Sequence, residues 1–139
     1  MEDKKTIEVV AAVIKKDNLI LATQRGYGEF KGMWEFPGGK IEAGEQKEES
    51  LIREINEELH ASINVNEYLC TVNYEYPNFY LIMHAYICSL NSDTLDKVYH
   101  NEIELEHEDY KWLSTKDIDA VNWLPADIEI VNKLKNYQR

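Results

Sequence analysis

Apolar residues run almost unbroken from Ile7 to Ile14, interrupted by Glu8, and resume from Leu19 to Thr23 after the polar stretch Lys15 to Asn18. Short runs rich in β-branched residues predict two strands, joined here as a hairpin with a somewhat long loop. The period changes from Glu45 to about Leu59. Strong helix formers fill that segment, and Leu51, Ile52, Ile55 and Leu59 recur at helical spacing, which predicts the first helix. Ser62 to Tyr74 and Phe79 to Leu90 read as strands joined across Tyr76, Pro77 and Asn78, and a short strand follows near Tyr110 to Leu113. Pro125 opens an amphipathic helix that reaches about Lys135, with Ile128, Val131 and Leu134 as its apolar stripe. Strands and helices interleaved in this irregular way predict an α/β (α+β) fold, a mixed β-sheet sandwiched between helices in an α/β/α arrangement. With 139 residues, 44% of them apolar, the chain is the size of a single domain with one good core.

All six glycines fall between Gly26 and Gly44, together with Pro37, and the rest of the chain has none. Such a concentration predicts a loop shaped around something, where the backbone takes conformations other residues resist. Charge narrows what that something is. The 26 acidic residues against 15 basic ones leave a formal charge of −11, which repels an extended polyphosphate backbone and argues against DNA or RNA as partner. A surplus of carboxylates suits hard divalent cations, which in turn bring a small anionic substrate. Cys70 and Cys88 stand apart with no zinc-ligand spacing and read as reduced thiols. The apolar run near the N-terminus is too short, and too interrupted by Glu8, for a signal or membrane segment, so the expectation is a cytoplasmic protein without membrane attachment.

The chemistry concentrates directly after the glycines. In a helix Glu54, Glu57 and Glu58 stand at i, i+3 and i+4, so three like charges share one face and repel. A divalent cation bridging them removes that repulsion. Leu51, Ile55 and Leu59 lie roughly 120° away on the same helix, so one face packs while the other is available to metal. Gly38 and Gly39 let backbone approach a phosphate or offer a carbonyl to a metal, and Lys40 adds positive charge beside them. Arg53 reads as an orienting partner for a carboxylate of this group, Glu45 among them. A Glu-rich helix with nothing else beside it is ordinarily a solvated surface; the adjoining glycine loop is what distinguishes this one.

These residues resemble the Nudix box, which here covers about residues 39 to 61. Gly39, Glu45, Arg53, Glu54, Ile55, Glu57 and Glu58 fill its defined positions, Ala61 is a small residue where an aliphatic is expected, and His60 replaces glycine at the helix end. His is a tolerable residue in the left-handed conformation such an end needs. Beyond the box, Trp34-Glu35-Phe36-Pro37-Gly38-Gly39-Lys40 and Leu124-Pro125-Ala126-Asp127 resemble the MutT-type branch of that family, which hydrolyses nucleoside triphosphates including oxidised ones. The resemblance implies the Nudix fold and a magnesium-dependent enzyme, with manganese as a possible substitute. It implies Glu54, Glu57 and Glu58 as metal ligands and catalytic residues and Gly38 as a carbonyl ligand. Glu106, six residues before Trp112, is implied as a further carboxylate near the metal or the attacking water. Arg25 and Lys40 are implied to face the phosphates, Phe36 with Tyr80 or Phe79 to stack on the base, and Asp127 to bond its edge. Gly39, Glu45 and Arg53 are implied as structural members of the box.

The expected reaction releases a nucleoside monophosphate and pyrophosphate, with Glu57 or Glu106 as general base; His107, next to Glu106, titrates in the right range but sits in an acidic stretch where a surface role is commoner. The MutT-type pattern often has Asn where this chain has Asp127, and a basic residue where it has Phe79. Those departures weaken 8-oxo-dGTP as the substrate and leave cytidine nucleotides open. The rivals are a hydrolase of another nucleoside diphosphate derivative, a nucleotide sensor without turnover and a purely structural protein. A small-molecule nucleotide is the expected partner, with the chain acting as a monomer or homodimer.

Overall fold

The computed structural model describes residues 4–91 and 109–136. Strand β1 (Lys5–Lys16) turns tightly into β2 (Leu19–Gln24), and two very short strands follow, β3 (Trp34–Glu35) and β4 (Gly38–Lys40). Helix α1 (Lys47–Leu59) leads to the long hairpin β5 (Ile63–Glu75) and β6 (Phe79–Leu90); β7 (Asp109–Ser114), a 3-10 turn (Ile118–Ala120) and α2 (Pro125–Lys135) complete the described chain. The hairpin β1–β2 is tighter than its polar sequence suggests. Lys15 pairs with Ile20 and Lys16 with Leu19, leaving a two-residue turn in which Asp17 takes a left-handed φ of 55°. Such turns match the natural twist of paired strands, and Lys15 and Lys16 extend β1 to its end.

The sheet order is β3-β2-β1-β6-β5, with β4 beside β1 and β7 beside β2. β1 and β6 are parallel and the other pairs antiparallel, so the sheet is mixed as expected. Alternation along β1 places a helix on each face. Val10, Ala12 and Ile14 pack with Leu51, Ile55 and Leu59 of α1, while Ala11 and Val13 belong to the cluster holding Ala126, Ile130, Val131 and Leu134 of α2. Two expected stripe residues stay outside: Ile52 and Ile128 are 44% and 45% exposed, and the small Ala126 takes a core position on α2.

One edge of β1 is shared between two partners. Near its end it pairs with β2, whereas Val9, Val10 and Ala11 pair with Lys40, Gly39 and Gly38 of β4. Between these pairings Phe36 and Pro37 cross from β3 to β4, tied by Ala12 N–H donating to Pro37 O at 2.8 Å. The fork opens the sheet to one side, and the cavity described next lies there.

Candidate active site

The exposed face of α1 is organised by Arg53. Its Nε and Nη2 donate to Glu45 Oε2 and Oε1 at 2.6 and 2.9 Å, a bidentate pair. Nη1 reaches Glu54 Oε1 at 3.0 Å and Glu57 Oε1 at 3.1 Å, and Nη2 also donates to Lys40 O at 3.1 Å. One guanidinium therefore ties the loop before the helix to two of its three clustered carboxylates and offsets much of their repulsion. Its bonds hold the Glu45 carboxyl at about 2, well below its usual range. The turn from Glu42 to Glu45 closes through Glu42 N–H on Glu45 Oε1, with Gly44 at φ 85°. The helix itself starts at Lys47 rather than Glu45, because Gln46 serves as its cap, its N–H held by Glu49 Oε1 at 3.0 Å. At the other end His60 takes the left-handed cap at φ 52°.

Gly38 and Gly39 serve proximity rather than unusual backbone angles, since neither has a positive φ. A side chain at Gly38 would collide with the backbone oxygen of Val10, and one at Gly39 would overlap the carboxylate of Glu54. The first glycine lets β4 lie against β1; the second lets Glu54 lie against β4.

A cavity of about 440 Å³ runs from this point into the fork of the sheet. Gly38, Gly39, Lys40, Glu54 and Glu58 line one end, and Arg25, Glu35, Phe36, Tyr76, Phe79 and Asp127 line the other. Phe36 stacks on Trp123 with centroids 4.5 Å apart, and Phe79 stacks on Tyr76 at 4.9 Å, so the second end is aromatic on two sides. Asp127 Oδ2 accepts the Phe36 N–H at 2.9 Å, and burial pushes the Asp127 carboxyl up to about 7. The Tyr76 hydroxyl accepts Ala126 N–H at 3.1 Å, joining the β5–β6 turn to the first turn of α2, and burial raises its pKa to about 12.

Glu57 and Tyr80 are not among the residues lining the cavity. Glu57 is turned toward solvent, its side chain 59% exposed and paired with Arg53. Tyr80 follows Phe79 on a strand, where neighbours point to opposite faces, so of that pair Phe79 enters the cavity and Tyr80 stays outside under the ammonium of Lys4. Arg25 lies at the aromatic end, where its Nε and Nη2 bond Glu35 at 3.1 and 2.6 Å and its guanidinium lies 5.3 Å from the Tyr27 ring centroid. Glu106 and His107 lie outside the described residues.

Sequence reading assigned no role to Glu35, Tyr76 or Tyr27. Counting by twos along β6 from Phe79 reaches Leu81 and Met83, which do line the cavity, but nothing local marks Glu35 as the partner of Arg25 ten residues away.

Among the described residues no three His, Cys, Asp or Glu side chains converge as a finished cation site. The donors that do meet in the cavity wall are the carboxylates of Glu54 and Glu58 beside the Gly38–Lys40 strand, and the glycine contact brings Glu54 to within touching distance of that strand. An all-oxygen set of this kind fits a hard divalent cation and would not suit a thiolate-seeking one.

Comparison with known proteins agrees. The NUDIX domain is matched over residues 4–134. The CTP pyrophosphohydrolase of Escherichia coli (strain K12) is 35% identical over 128 residues, 91% of this chain and 90% of that protein. The 8-oxo-dGTP diphosphatase of Haemophilus influenzae is 30% identical over 136 residues, 96% of this chain and 95% of its own. A solution structure from methicillin-resistant Staphylococcus aureus 252, described as the DNA mismatch repair protein MutT of the Nudix hydrolase family, superposes with a TM-score of 0.70 at 39% identity, covering 96% of this chain and 98% of that one. With its box on α1, its mixed sheet between helices and these relatives over nearly its whole length, the chain belongs to the Nudix family of hydrolases, enzymes that act on acid anhydrides.

Proposed function

We propose that this enzyme hydrolyses nucleoside triphosphates to the monophosphate and pyrophosphate, with magnesium as its cofactor and manganese able to replace it. The observation that carries this reading is one continuous cavity, aromatic and carboxyl-bearing at one end and bounded by Lys40, Glu54 and Glu58 at the other. Its span suits a base at the first end and a phosphate chain at the second.

Phe36 and Phe79 provide flat apolar surface for the base, each backed by a second ring that keeps it in place. Asp127 offers its carboxyl to the base edge. Lys40 supplies positive charge to the phosphates, and Arg53 fixes the Lys40 carbonyl and the Glu54 and Glu57 carboxylates relative to one another. Glu54, Glu57 and Glu58, with the Gly38 carbonyl, are the residues that would hold magnesium. Bound there, magnesium supplies Lewis acidity at the phosphate oxygens and lowers the cost of removing a proton from water. The proton goes to a carboxylate, Glu57 or Glu106.

Phe79 in place of a basic residue, and Asp127 in place of an amide, favour cytidine triphosphates and modified nucleotides over 8-oxo-dGTP alone. Clearing damaged nucleotides from the precursor pool before DNA synthesis is the corresponding cellular role, carried out in the cytoplasm. A panel of canonical and oxidised nucleoside triphosphates, ADP-ribose and a diadenosine polyphosphate, each with and without magnesium, tests the reading. Triphosphates should rank first by kcat/KM and need the metal. A preference for ADP-ribose or the dinucleotide, or full activity without metal, would overturn it.

A further inference from the structure

Helix α2 begins without a cap of its own. Leu124 holds the cap position, and its side chain has no acceptor for the N–H groups that a first turn leaves over. The acceptor for Ala126 N–H comes from 50 residues earlier in the chain, the hydroxyl of Tyr76, at 3.1 Å. Both residues are buried, so water does not stand in for that bond.

Tyr76 is itself held from every side. Its N–H donates to Phe79 O at 2.9 Å across the β5–β6 turn, and Lys4 Nζ donates to its carbonyl at 3.3 Å. Its ring stacks on Phe79 and meets Tyr74 and Phe30 with centroids 4.7 and 5.4 Å away. The hydroxyl therefore moves only when the Phe79 side of the cavity moves with it. The other attachments of this end of α2 lead across the cavity. Asp127 accepts the Phe36 N–H at 2.9 Å, and Leu124 N–H donates to Trp34 O at 2.8 Å, which ties the helix to β3 and the residue after it. The first turn of α2 is thus a bridge between the two aromatic sides, with Phe36 at one foot and Phe79 at the other.

We propose that the Tyr76 hydroxyl is a positioning group that fixes the spacing of Phe36 and Phe79, and so the fit of the flat ring between them, through its bond to Ala126. The proposal rests on the nucleotide reading above, in which those two side chains hold the base. Without the hydroxyl, Ala126 N–H is buried with no acceptor, and the Phe79 side loses its one side-chain hydrogen bond to α2. The phosphate end is built on α1 and β4, neither of which Tyr76 bonds, so the loss falls on binding of the base and not on cleavage.

Tyr76→Phe removes one oxygen and keeps the ring. The test compares this variant with wild type at fixed magnesium, using the triphosphate cleaved best in the panel above, its own monophosphate and inorganic pyrophosphate. KM for the triphosphate and the inhibition constant of the monophosphate should each rise about fivefold or more. The value of kcat and the inhibition constant of pyrophosphate should stay within about twofold, because neither depends on the base. Unchanged constants for the triphosphate and monophosphate overturn the proposal and leave the nucleotide reading standing. Equal weakening of monophosphate and pyrophosphate, or a variant without cooperative melting, shows that the hydroxyl serves the fold as a whole and also overturns it. Failure of the wild type to cleave any triphosphate overturns the nucleotide reading, and this proposal with it.

Discussion

Asp127 sits near the start of α2, where an acid suits the helix dipole, yet it is buried in the cavity wall, where its carboxyl accepts the Phe36 N–H. Its folded pKa lies above the ordinary value of an aspartate. Below about pH 4 it is protonated in both folded and unfolded chains and costs nothing. As pH rises toward 7 the unfolded chain ionises while the folded one resists, and stability is lost across that interval. Asp127→Asn should therefore leave the unfolding free energy near wild type at pH 4 and raise it at pH 8, by on the order of a few kcal/mol at most, as read from chemical denaturation at the two pH values. An equal effect at both pH values would show that Asp127 is not titrating as described. Glu58→Gln should lower kcat by about a hundredfold or more with little change in melting, since it removes a charge from the oxygen set at the phosphate end. Glu57→Gln carries the same expectation despite its solvent-facing position, and near-normal turnover in that variant would remove Glu57 from the metal-holding set. Spacing placed Glu54, Glu57 and Glu58 near one another on the helix, but that Glu54 and Glu58 line the cavity while Glu57 faces solvent was not legible from it. Glu35 was not legible, because its importance comes from Arg25 across a turn and from a cavity that only the folded sheet creates.

Among the elements, those with a long period were readable and those defined by a partner were not. α1, β5, β6 and α2 each carry several turns or alternations of pattern, and their limits fall within two residues of expectation. β3 and β4 have two and three residues, too few for any period; β3 exists by pairing with β2, and β4 because Gly38 can press against β1. The two adjoining glycines therefore predict different failures. Gly38→Ala meets backbone on β1, which cannot move cheaply, and should destabilise the fold by about 2 kcal/mol or more in chemical denaturation. Gly39→Ala meets only the end of the Glu54 side chain, which can swing aside, so stability should change by about 1 kcal/mol or less while kcat falls at least tenfold. Two variants equal in both stability and turnover would contradict this division between a structural and a positioning glycine.

For the molecule as a whole, the α/β/α layering was readable because both faces of β1 are apolar and two amphipathic helices are available to cover them. The fork between β2 and β4 was not, since it depends on one strand edge being shared by two partners. That fork is what joins the aromatic end of the cavity to the box on α1 and makes one site of two separate sequence motifs. The −11 charge bears on the proposed reading, since an acidic molecule takes up a small anion only where positive charge is built in locally; Lys40 lines the cavity at the α1 end, whereas the Arg25 guanidinium is paired with Glu35. On the proposed reading the base lies among Phe36, Phe79 and Asp127, the phosphates reach toward Glu54 and Glu58, and cleavage leaves a single phosphate on the nucleoside. The most direct measurement is a product-resolved assay of the best triphosphate with magnesium, separating pyrophosphate from orthophosphate at early times. Monophosphate and pyrophosphate in equal amounts, with no diphosphate intermediate, is the predicted result; orthophosphate and nucleoside diphosphate as the first products would contradict it.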